Sequence, residues 1–312
     1  MGVIHIDPRI PNAELRGVIY GGDVVVLTNI SPVTEFVAFV KEQLNELFSP
    51  YDPEQAHLHY APAELARMLG VWKPGFIHHP RSREVLKAVV TSAGFDPAET
   101  LYDVPKPRTA FPKDHLTTGI AFAFPWHRDT WYSAPAQQIN WWFPVFDLKP
   151  TNAMKFSPQA FAQSVENDSA GFDAYQANRE RLTVAQQVGK DSRSRPAARN
   201  HVAADEMVLL PAPGQILLFS AGQLHASIPN TSGISRYSVD FRTIDRRDVV
   251  SGIGAPKLDV QCKGSVLREF AGVSSDERLP EQFVREIAGD PPEDAILLFD
   301  ETLAKKSKTL VS

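Results

Sequence analysis

The sequence predicts a mainly β protein, with a sandwich or barrel of short strands and a helical N-terminal layer. Two observations support this fold class. Apolar residues recur at helical spacing in much of the first hundred positions, whereas from Leu101 onward short apolar runs alternate with turn-forming Pro, Gly and Asn. Helices that precede a series of strands are typical of one β core covered by a helical layer.

The N-terminal layer is predicted to contain a short strand and three helices. Residues 24–27 form an aliphatic run after two glycines, which is typical of a buried strand. Ser31 and Pro32 then predict a helix start, with the serine as the cap and the proline at the first helical position. Apolar residues at helical spacing predict two further helices at 62–69 and 82–90.

The predicted core consists of short strands bounded by turn residues. The candidate strands cover residues 101–104, 119–124, 138–146, 153–156, 207–210, 215–219 and 235–242. Several short strands separated by turn residues are typical of a sandwich or barrel.

A long polar stretch, residues 157–204, interrupts the predicted strands, and its tip at 191–199 is rich in Arg and Ser. Long insertions between core strands are often lids or binding loops, so we predict a mobile lid whose Arg-rich tip has too little apolar content to pack on its own. The chain is expected to be a single domain, 1–312, with a helical layer at 1–100, a core at 101–250 that holds the insertion, and a peripheral segment at 251–312.

Bulk composition excludes several classes of protein. The net charge is −5 and the pI is about 6.0, so no basic surface for nucleic acid is predicted. The single cysteine, Cys262, rules out an internal disulfide and fits a reducing cytoplasm. The longest apolar runs are too short to cross a bilayer, and the chain opens without a secretory signal pattern. We therefore expect a cytoplasmic protein that binds a small molecule, without nucleic-acid or membrane partners.

A histidine and an aspartate two positions apart, His127 and Asp129, follow an aromatic stretch. On a strand, residues i and i+2 point to the same face, so both side chains can reach one metal ion. His225 is the best third ligand, because it follows a predicted strand across a short glycine-containing turn. Two imidazoles and one carboxylate form a facial triad, which suits Fe(II) and leaves one face of an octahedral ion open. The lack of a thiolate argues against structural zinc.

The other histidines fit this ligand set less well. His78 and His79 are adjacent, so they face apart in any extended segment. His57 and His59 lie in the helical half of the chain, where a surface or core role is expected. A His-x-Asp tripeptide also occurs by chance, so the assignment depends on the segments that accompany it.

Those segments resemble, in order along residues 101–244, the phytanoyl-CoA dioxygenase-like branch of the Fe(II)/2-oxoglutarate oxygenases. The similar segments are the His-x-Asp strand end at 126–129, a strand–turn–strand segment at 147–158, the strand running to the distal histidine at 213–227, and the turn before the keto-acid arginine at 230–236.

The resemblance implies a double-stranded β-helix, which is a jelly-roll of the cupin kind, with His127, Asp129 and His225 as iron ligands. It also implies that Arg236 pairs with the far carboxylate of 2-oxoglutarate, a task that suits a guanidinium because it binds carboxylates bidentately. Arg242, on the same strand face, is the alternative. Fe(II) would then be the cofactor, with 2-oxoglutarate and O2 as co-substrates.

The chain departs from the family pattern in three places. Ala153 replaces a turn glycine and Gln215 replaces an aspartate, both at positions expected to be structural. Residues 158–160 lack the usual Gly-Ser-His, which makes the site entrance atypical. Asp129 stands where halogenases of the family have a small residue, so hydroxylation or desaturation is expected instead of halogenation.

Further residues near these motifs are candidates for ligand contacts. The polar candidates for binding 2-oxoglutarate or substrate are Thr118, Gln137 and Asn140. The aromatic candidates for a water-excluding substrate wall are Trp126, Trp131 and Trp141, although at least two of the tryptophans in this region are expected in the core. Arg195 is a candidate for binding an anionic substrate group, with a solvated loop position as the alternative.

The first interpretation is therefore a mononuclear Fe(II)/2-oxoglutarate dioxygenase that hydroxylates a small organic substrate and releases succinate and CO2. Two alternatives stay open. One is a cupin-like metalloenzyme that uses no keto-acid, in which Arg236 would hold substrate or structure. The other is a non-catalytic jelly-roll binding protein. Neither the substrate nor the oligomeric state follows from the sequence.

Overall fold

The computed structural model describes residues 2–117, 121–181 and 195–296, which form eleven strands and eight α-helices. The strands are β1 (Ile4–Ile6), β2 (Val24–Leu27), β3 (Thr100–Tyr102), β4 (Lys106–Ala110), β5 (Ile139–Pro144), β6 (Met154–Phe156), β7 (Met207–Leu209), β8 (Ile216–Ser220), β9 (His225–Ser227), β10 (Arg236–Asp245) and β11 (Ala271–Gly272). The helices are α1 (Asn12–Tyr20), α2 (Ser31–Phe48), α3 (Ala56–His59), α4 (Pro62–Ile77), α5 (Pro80–Ser92), α6 (Ala174–Arg181), α7 (Arg246–Ser251) and α8 (Glu281–Ala288).

The strands form two sheets of unequal size. The large sheet has the order β1-β2-β8-β5-β10-β3-β11, with β4 also paired to β10, and the small sheet has the order β7-β6-β9. Strands β1 and β2 run parallel, whereas the other pairs are antiparallel. These two sheets and their helices confirm a mainly β protein with a helical layer.

Six of the seven strands predicted for the core are present, and the exception is the segment at 119–124. Residues 122–124 are not in a strand, and residues 119–120 lie outside the described part of the chain. The phenylalanines of this segment do not alternate along a strand. Instead, the rings of Phe122 and Phe124 pack on each other near the candidate histidines.

The N-terminal layer contributes strands to the core as well as helices. Strand β2 pairs with β8, with Val25 opposite Leu218, and thereby joins β1 and β2 to the large sheet. Strand β11 from the C-terminal segment pairs with β3. Main-chain hydrogen bonds therefore cross both of the expected boundaries, near residues 100 and 250.

The predicted helices are present, although they begin or end at residues other than those predicted. Helix α2 has Ile30 at its N-cap and no side-chain cap, so Ser31 is the first helical residue and not the cap. Helix α4 continues past 69 to Ile77, through Pro74. No described helix combines the length and the apolar character needed to cross a lipid bilayer.

Two apolar layers lie on opposite faces of the large sheet. The outer face packs on the helical layer in a cluster that includes Phe36, Leu69, Trp141, Phe143 and Phe241. The inner face packs on the small sheet in a cluster that includes Trp142, Met154, Phe156, Leu217 and Phe219. The two sheets therefore face each other, and the candidate site lies between them.

Parts of the insertion at 157–204 are packed against the rest of the protein. They bury Phe161, Phe172 and Tyr175, and the main-chain N–H of Ala198 donates to the carbonyl of Trp126 at 2.8 Å. The three aromatic rings anchor the part of the insertion that precedes the predicted tip. Residues 182–194, which include the start of the predicted tip, lie outside the described residues.

Candidate metal centre

The backbone places the two candidate histidines side by side. His127 and His225 form an antiparallel bridge, in which each N–H donates to the other's carbonyl at 2.9 and 3.0 Å. Their ring centroids are 4.2 Å apart. His225 also begins β9, where it lies opposite Phe156 of β6. Two distant parts of the sequence therefore meet at one site.

Asp129 lies on the same side of the chain as His127, because Arg128 between them is extended (φ −113°, ψ 143°). The segment is not the predicted strand end: His127 makes an isolated bridge and Asp129 begins a 3-10 helix. Arg128 is 1% exposed and points away, donating to the carbonyls of Ala160 and Gly222 at 2.7 Å. These hydrogen bonds fix the orientation of the residues on either side of Arg128.

The three candidate ligand atoms converge on one point. Nε2 of His127 and Nε2 of His225 lie 3.5 and 4.0 Å from Oδ1 of Asp129. All three atoms are within 4.8 Å of one another. These separations exceed the usual hydrogen-bond length of about 2.7–3.2 Å. They suit three ligands that each lie about 2.1 Å from a shared ion.

The other nitrogen of each imidazole is held by a main-chain carbonyl. Nδ1 of His127 lies 2.8 Å from the carbonyl of Pro125, and Nδ1 of His225 lies 2.9 Å from that of Gln223. A carbonyl accepts only, so Nδ1 carries the proton and Nε2 presents its lone pair, as in metal-bound histidines. Burial and the neighbouring His127 lower the pKa of His225 to about 4, so this imidazole is neutral, as a metal ligand must be.

Asp129 is held through its second carboxylate oxygen. Oδ2 accepts a hydrogen bond from Nε2 of Gln138 at 3.1 Å and lies 3.9 Å from Nε of Arg242. Burial acts to raise the pKa of Asp129, but nearby His127 and the charge of Arg242 hold it well below its ordinary value. The carboxylate is therefore ionised, with Oδ1 directed at the histidines.

Gln138 was not among the residues predicted from the sequence. Its side chain contacts Asp129 and also donates to Oδ1 of Asn140 at 2.8 Å. Asn140 is a predicted candidate, and Gln138, two residues earlier and just before β5, contacts its side chain on the same side of the chain. Gln137, which was singled out instead, contacts the helical layer through its carbonyl, which accepts from the Tyr20 hydroxyl at 3.1 Å.

The two candidate arginines on β10 have different surroundings. The guanidinium of Arg242 lies 3.0 Å from Asp240 and 3.4 Å from Asp103, so carboxylates already surround it. Arg236 donates to the carbonyl of Asn152 at 3.3 Å, but its buried Nε has no partner, and no carboxylate pairs with it among the described residues. Burial and nearby Arg108 lower the pKa of Arg236 to about 10, so it stays charged at neutral pH.

Among the described residues, the charged side chains in the space between the sheets are more often positive than negative. The charged side chains of this inner network are Lys106, Arg108, Arg236 and Arg242 against Asp103, Asp129 and Asp240. Unbalanced charge is unfavourable in a desolvated site unless a counter-ion offsets it. The site therefore suits an anionic ligand.

Aromatic rings close one side of the histidine pair more completely than the other. Phe156 is fully buried and stacks beside His225, with ring centroids 6.1 Å apart. Phe124 and Tyr132 lie 5.2 and 5.5 Å from the His127 ring, and both are partly exposed. Access from solvent is therefore on the side of His127.

The predicted tryptophans take different positions. Trp131 and Trp141 are both fully buried, and their indole N–H groups donate to Asp259 at 2.7 Å and to Thr243 at 2.8 Å. These side chains have no surface to offer a substrate, which corrects their assignment to the substrate wall. Trp126 is partly exposed beside His127, so its substrate role stays a prediction.

The other two predicted contacts differ in what the structure describes. The guanidinium of Arg195 lies 4.0 Å from the ring centroid of Phe122, and that ring contacts Phe124 at 5.1 Å between centroids. Arg195 is therefore on the open, His127 side of the site. Thr118 lies outside the described residues.

Comparisons with known proteins find only distant similarity. The sequence matches no protein-family model, and no curated protein is significantly similar to it. Among solved structures, EvdO2 from Micromonospora carbonacea var. aurantiaca is 13% identical, with 78% of this chain and 94% of that chain covered and a TM-score of 0.45. EvdO2 was also solved in complex with 2-oxoglutarate.

Two further solved structures are similar at the same level. The non-haem monooxygenase ThoJ is 13% identical, with 91% of this chain and 88% of that chain covered and a TM-score of 0.40. SnoK, a non-haem α-ketoglutarate-dependent carbocyclase from nogalamycin biosynthesis, is 12% identical, with 85% and 96% covered and a TM-score of 0.38. Similarity this distant carries no residue or activity over to this chain, so its chemistry is argued from its own geometry.

Proposed function

We propose that this protein is a non-haem Fe(II)/2-oxoglutarate-dependent dioxygenase that oxidises a C–H bond of a small organic substrate, with hydroxylation as the outcome. One observation carries the proposal: two histidine Nε2 atoms and one Asp129 oxygen converge within 4.8 Å. The opposite nitrogen of each imidazole is tied to a main-chain carbonyl. We propose His127, Asp129 and His225 as the metal ligands.

The donor set suits Fe(II). Imidazole nitrogen and carboxylate oxygen without thiolate are the ligands of non-haem iron oxygenases, and three ligands on one face leave the other positions open. Gln138 and Arg242 hold the second oxygen of Asp129. Asp129 would therefore hold the metal through one oxygen only, which would keep the remaining positions free for co-substrates.

The inner network suits 2-oxoglutarate, which carries two carboxylates. Arg236 is the residue proposed to bind the far carboxylate, because it is buried, charged and without a carboxylate partner among the described residues. Arg242 is the weaker candidate, since it would have to leave Asp103 and Asp240. Asn140 adds a buried Nδ2 donor without a partner, close to Gln138.

Bound Fe(II), with 2-oxoglutarate and O2, supplies the oxidising equivalents that remove hydrogen from a C–H bond, with succinate and CO2 as co-products. The chain binds and orients these components and excludes water. Buried Phe156 and Phe219 close the site behind His225. Partly exposed Phe124 and Tyr132 leave the side of His127 for the substrate.

The two facing sheets support a finer statement about the fold. We propose that they are the two halves of a double-stranded β-helix, as in the phytanoyl-CoA dioxygenase-like oxygenases. The small sheet holds His225 at the start of β9, and the large sheet holds Arg236 at the start of β10. In this arrangement one proposed metal ligand, His225, and the keto-acid arginine come from different sheets, and His127 joins the site through its bridge to His225.

An anaerobic titration of the full-length protein with Fe(II) and then 2-oxoglutarate tests the proposal. The expected result is one bound iron and a visible charge-transfer band when the keto-acid chelates it. Asp129→Ala should lose both, whereas His59→Ala, which changes an exposed histidine outside the site, should keep both. Bound iron without the band would indicate a metalloenzyme that uses no keto-acid. A protein that takes up no metal would be a non-catalytic binding protein.

A further inference from the structure

The open side of the site carries two guanidinium groups that the proposed metal and keto-acid chemistry does not use. Arg195 lies with its guanidinium carbon 4.0 Å from the Phe122 ring centroid. Arg108 lies 5.7 Å from the Phe124 ring centroid. The two rings contact each other edge to face, with centroids 5.1 Å apart. An aromatic surface with a cation over each ring therefore leads from solvent to His127.

Arg108 remains able to bind an anion although it has an ion-pair partner. It pairs with Asp240, but Arg242 also contacts Asp240 at 3.0 Å, so one carboxylate is shared by two guanidiniums. The Arg108 side chain is 31% exposed, whereas that of Asp240 is 11% exposed. Arg108 therefore presents the accessible part of the pair to the open side.

Arg195 is held in place by its neighbours along the chain. The Tyr132 hydroxyl donates to the carbonyl of Pro196 at 3.0 Å, and the N–H of Ala197 donates to the Asp168 carboxylate at 2.6 Å. Tyr132 also lies beside the His127 ring. The hydrogen bonds that hold Pro196 and Ala197 therefore keep Arg195 close to the proposed metal ligands.

The charge of the site indicates which ligand these two arginines bind. A divalent metal and a dianionic keto-acid cancel each other, so their binding leaves the surplus positive charge of the inner network unchanged. A second anion is therefore needed to offset the charge once metal and keto-acid are bound.

We propose that the substrate is an organic anion, in which a carboxylate or phosphate group binds Arg195 and Arg108 and an apolar body lies on Phe122 and Phe124. This inference rests on the proposed function for the fate of the substrate, but not for its binding. Guanidinium groups bind both anions through paired N–H donors. The aromatic rings bind the apolar body and exclude water from the C–H bond that faces the metal.

Calorimetric titration of the full-length protein with three probes of one shape tests the binding step. The probes are 4-phenylbutyrate, 3-phenylpropyl phosphate and uncharged 4-phenylbutan-1-ol. At least one anion should bind about tenfold more tightly than the alcohol, the effect of one charge-assisted hydrogen bond. The stronger of the two anions identifies the head group. Equal affinity for all three probes, or a preference for the alcohol, overturns the proposal.

Substitutions then locate the anion. Arg195→Gln and Arg108→Gln should each reduce the preference for the anion over the alcohol by about three- to tenfold. Arg199→Gln is the matched control, because this exposed arginine contacts Glu166 and should leave the preference unchanged. Arg108→Lys, which keeps the charge, should retain part of the preference if Arg108→Gln fails to fold.

A further variant separates this proposal from the proposed function. Titrations run with and without Fe(II) and 2-oxoglutarate test the anion site even in a protein that gives no charge-transfer band. Arg236→Met should leave the anion preference unchanged, since that arginine is assigned to the keto-acid. If the preference is lost in Arg236→Met and kept in Arg195→Gln and Arg108→Gln, the probes occupy the keto-acid position, and the second anion site is rejected.

Discussion

The two faces of β10 are buried in different surroundings, although their residues alternate along one strand. Tyr237, Val239 and Phe241 face the helical layer and belong to the largest apolar cluster. Arg236 and Asp240, with Ser238 and Arg242, face the space between the sheets. The outer residues are buried among apolar groups, and the inner ones are buried among charges.

This difference separates what stabilises the fold from what serves the site. Each large apolar side chain on the outer face contributes about 1.5–3 kcal/mol by leaving water. The inner face contributes less, because desolvation of its charged groups offsets most of their attraction. Arg236 and Ser238 even keep buried polar atoms without a partner. Such groups weaken the fold, because a buried polar atom without a partner has lost its hydrogen bonds to water.

The largest expected effect is the loss of metal chemistry on the inner side. His225→Ala should remove most of the Fe(II) affinity and abolish succinate formation, because the two remaining ligands cannot hold the ion on their own. The fold should persist, since the outer apolar cluster is unchanged. Iron content after gel filtration, succinate yield and circular dichroism are the measurements. Tight, stoichiometric iron in this variant would remove His225 from the ligand set.

The next largest expected effect is a loss of stability when an apolar residue of the outer face is truncated. Phe241→Ala should lower the free energy of unfolding by about 3–5 kcal/mol, through lost burial and the cavity next to Trp141. Ser238→Ala, on the inner face of the same strand, is the matched control. It removes a buried hydroxyl without a partner, so stability should be unchanged or slightly higher. Urea unfolding measures both, and equal losses would contradict the contrast between the faces.

Arg236→Met should affect binding and stability in opposite directions. Loss of a charge-assisted pair in a desolvated site costs about 2–5 kcal/mol, so the apparent constant for 2-oxoglutarate should rise more than about tenfold while iron stays bound. The free energy of unfolding should not fall, because a buried charge without a carboxylate partner is removed. An unchanged constant in Arg236→Met together with a large change in Arg242→Met would move the role to Arg242.

The smallest expected effect concerns the orientation of Asp129. Gln138→Leu should weaken Fe(II) binding by about 10–100-fold, the usual effect of losing a hydrogen bond to a metal ligand. Gln137→Leu is the matched control, because Gln137 is the neighbouring glutamine and its contact with Tyr20 uses only its main chain. Competition with a metal-sensitive dye gives both affinities. A loss of the same size in the two variants would mean that Gln138 acts through local packing and not through Asp129.

Much of the local structure and the proposed ligand set could be predicted from single positions and their spacing. Helices α2, α4 and α5, strand β2 and six of the seven predicted core strands follow from apolar periodicity, which depends on neighbours close in sequence. The two-residue spacing predicts His127 and Asp129, and the position after a predicted strand predicts His225. The structure brings the three residues together. The spacing places His127 and Asp129 on one side of the chain because Arg128 between them is extended, even though the segment is not a strand.

The tertiary structure alone decided which side chains share the space around those three residues. Periodicity cannot show that β2 pairs with β8, that Gln138 holds Asp129, or that Asp103 and Asp240 already surround Arg242. It also could not separate buried Trp131 and Trp141 from partly exposed Trp126. Sequence spacing determines the face on which a residue lies, whereas its partner and its exposure depend on long-range register and packing.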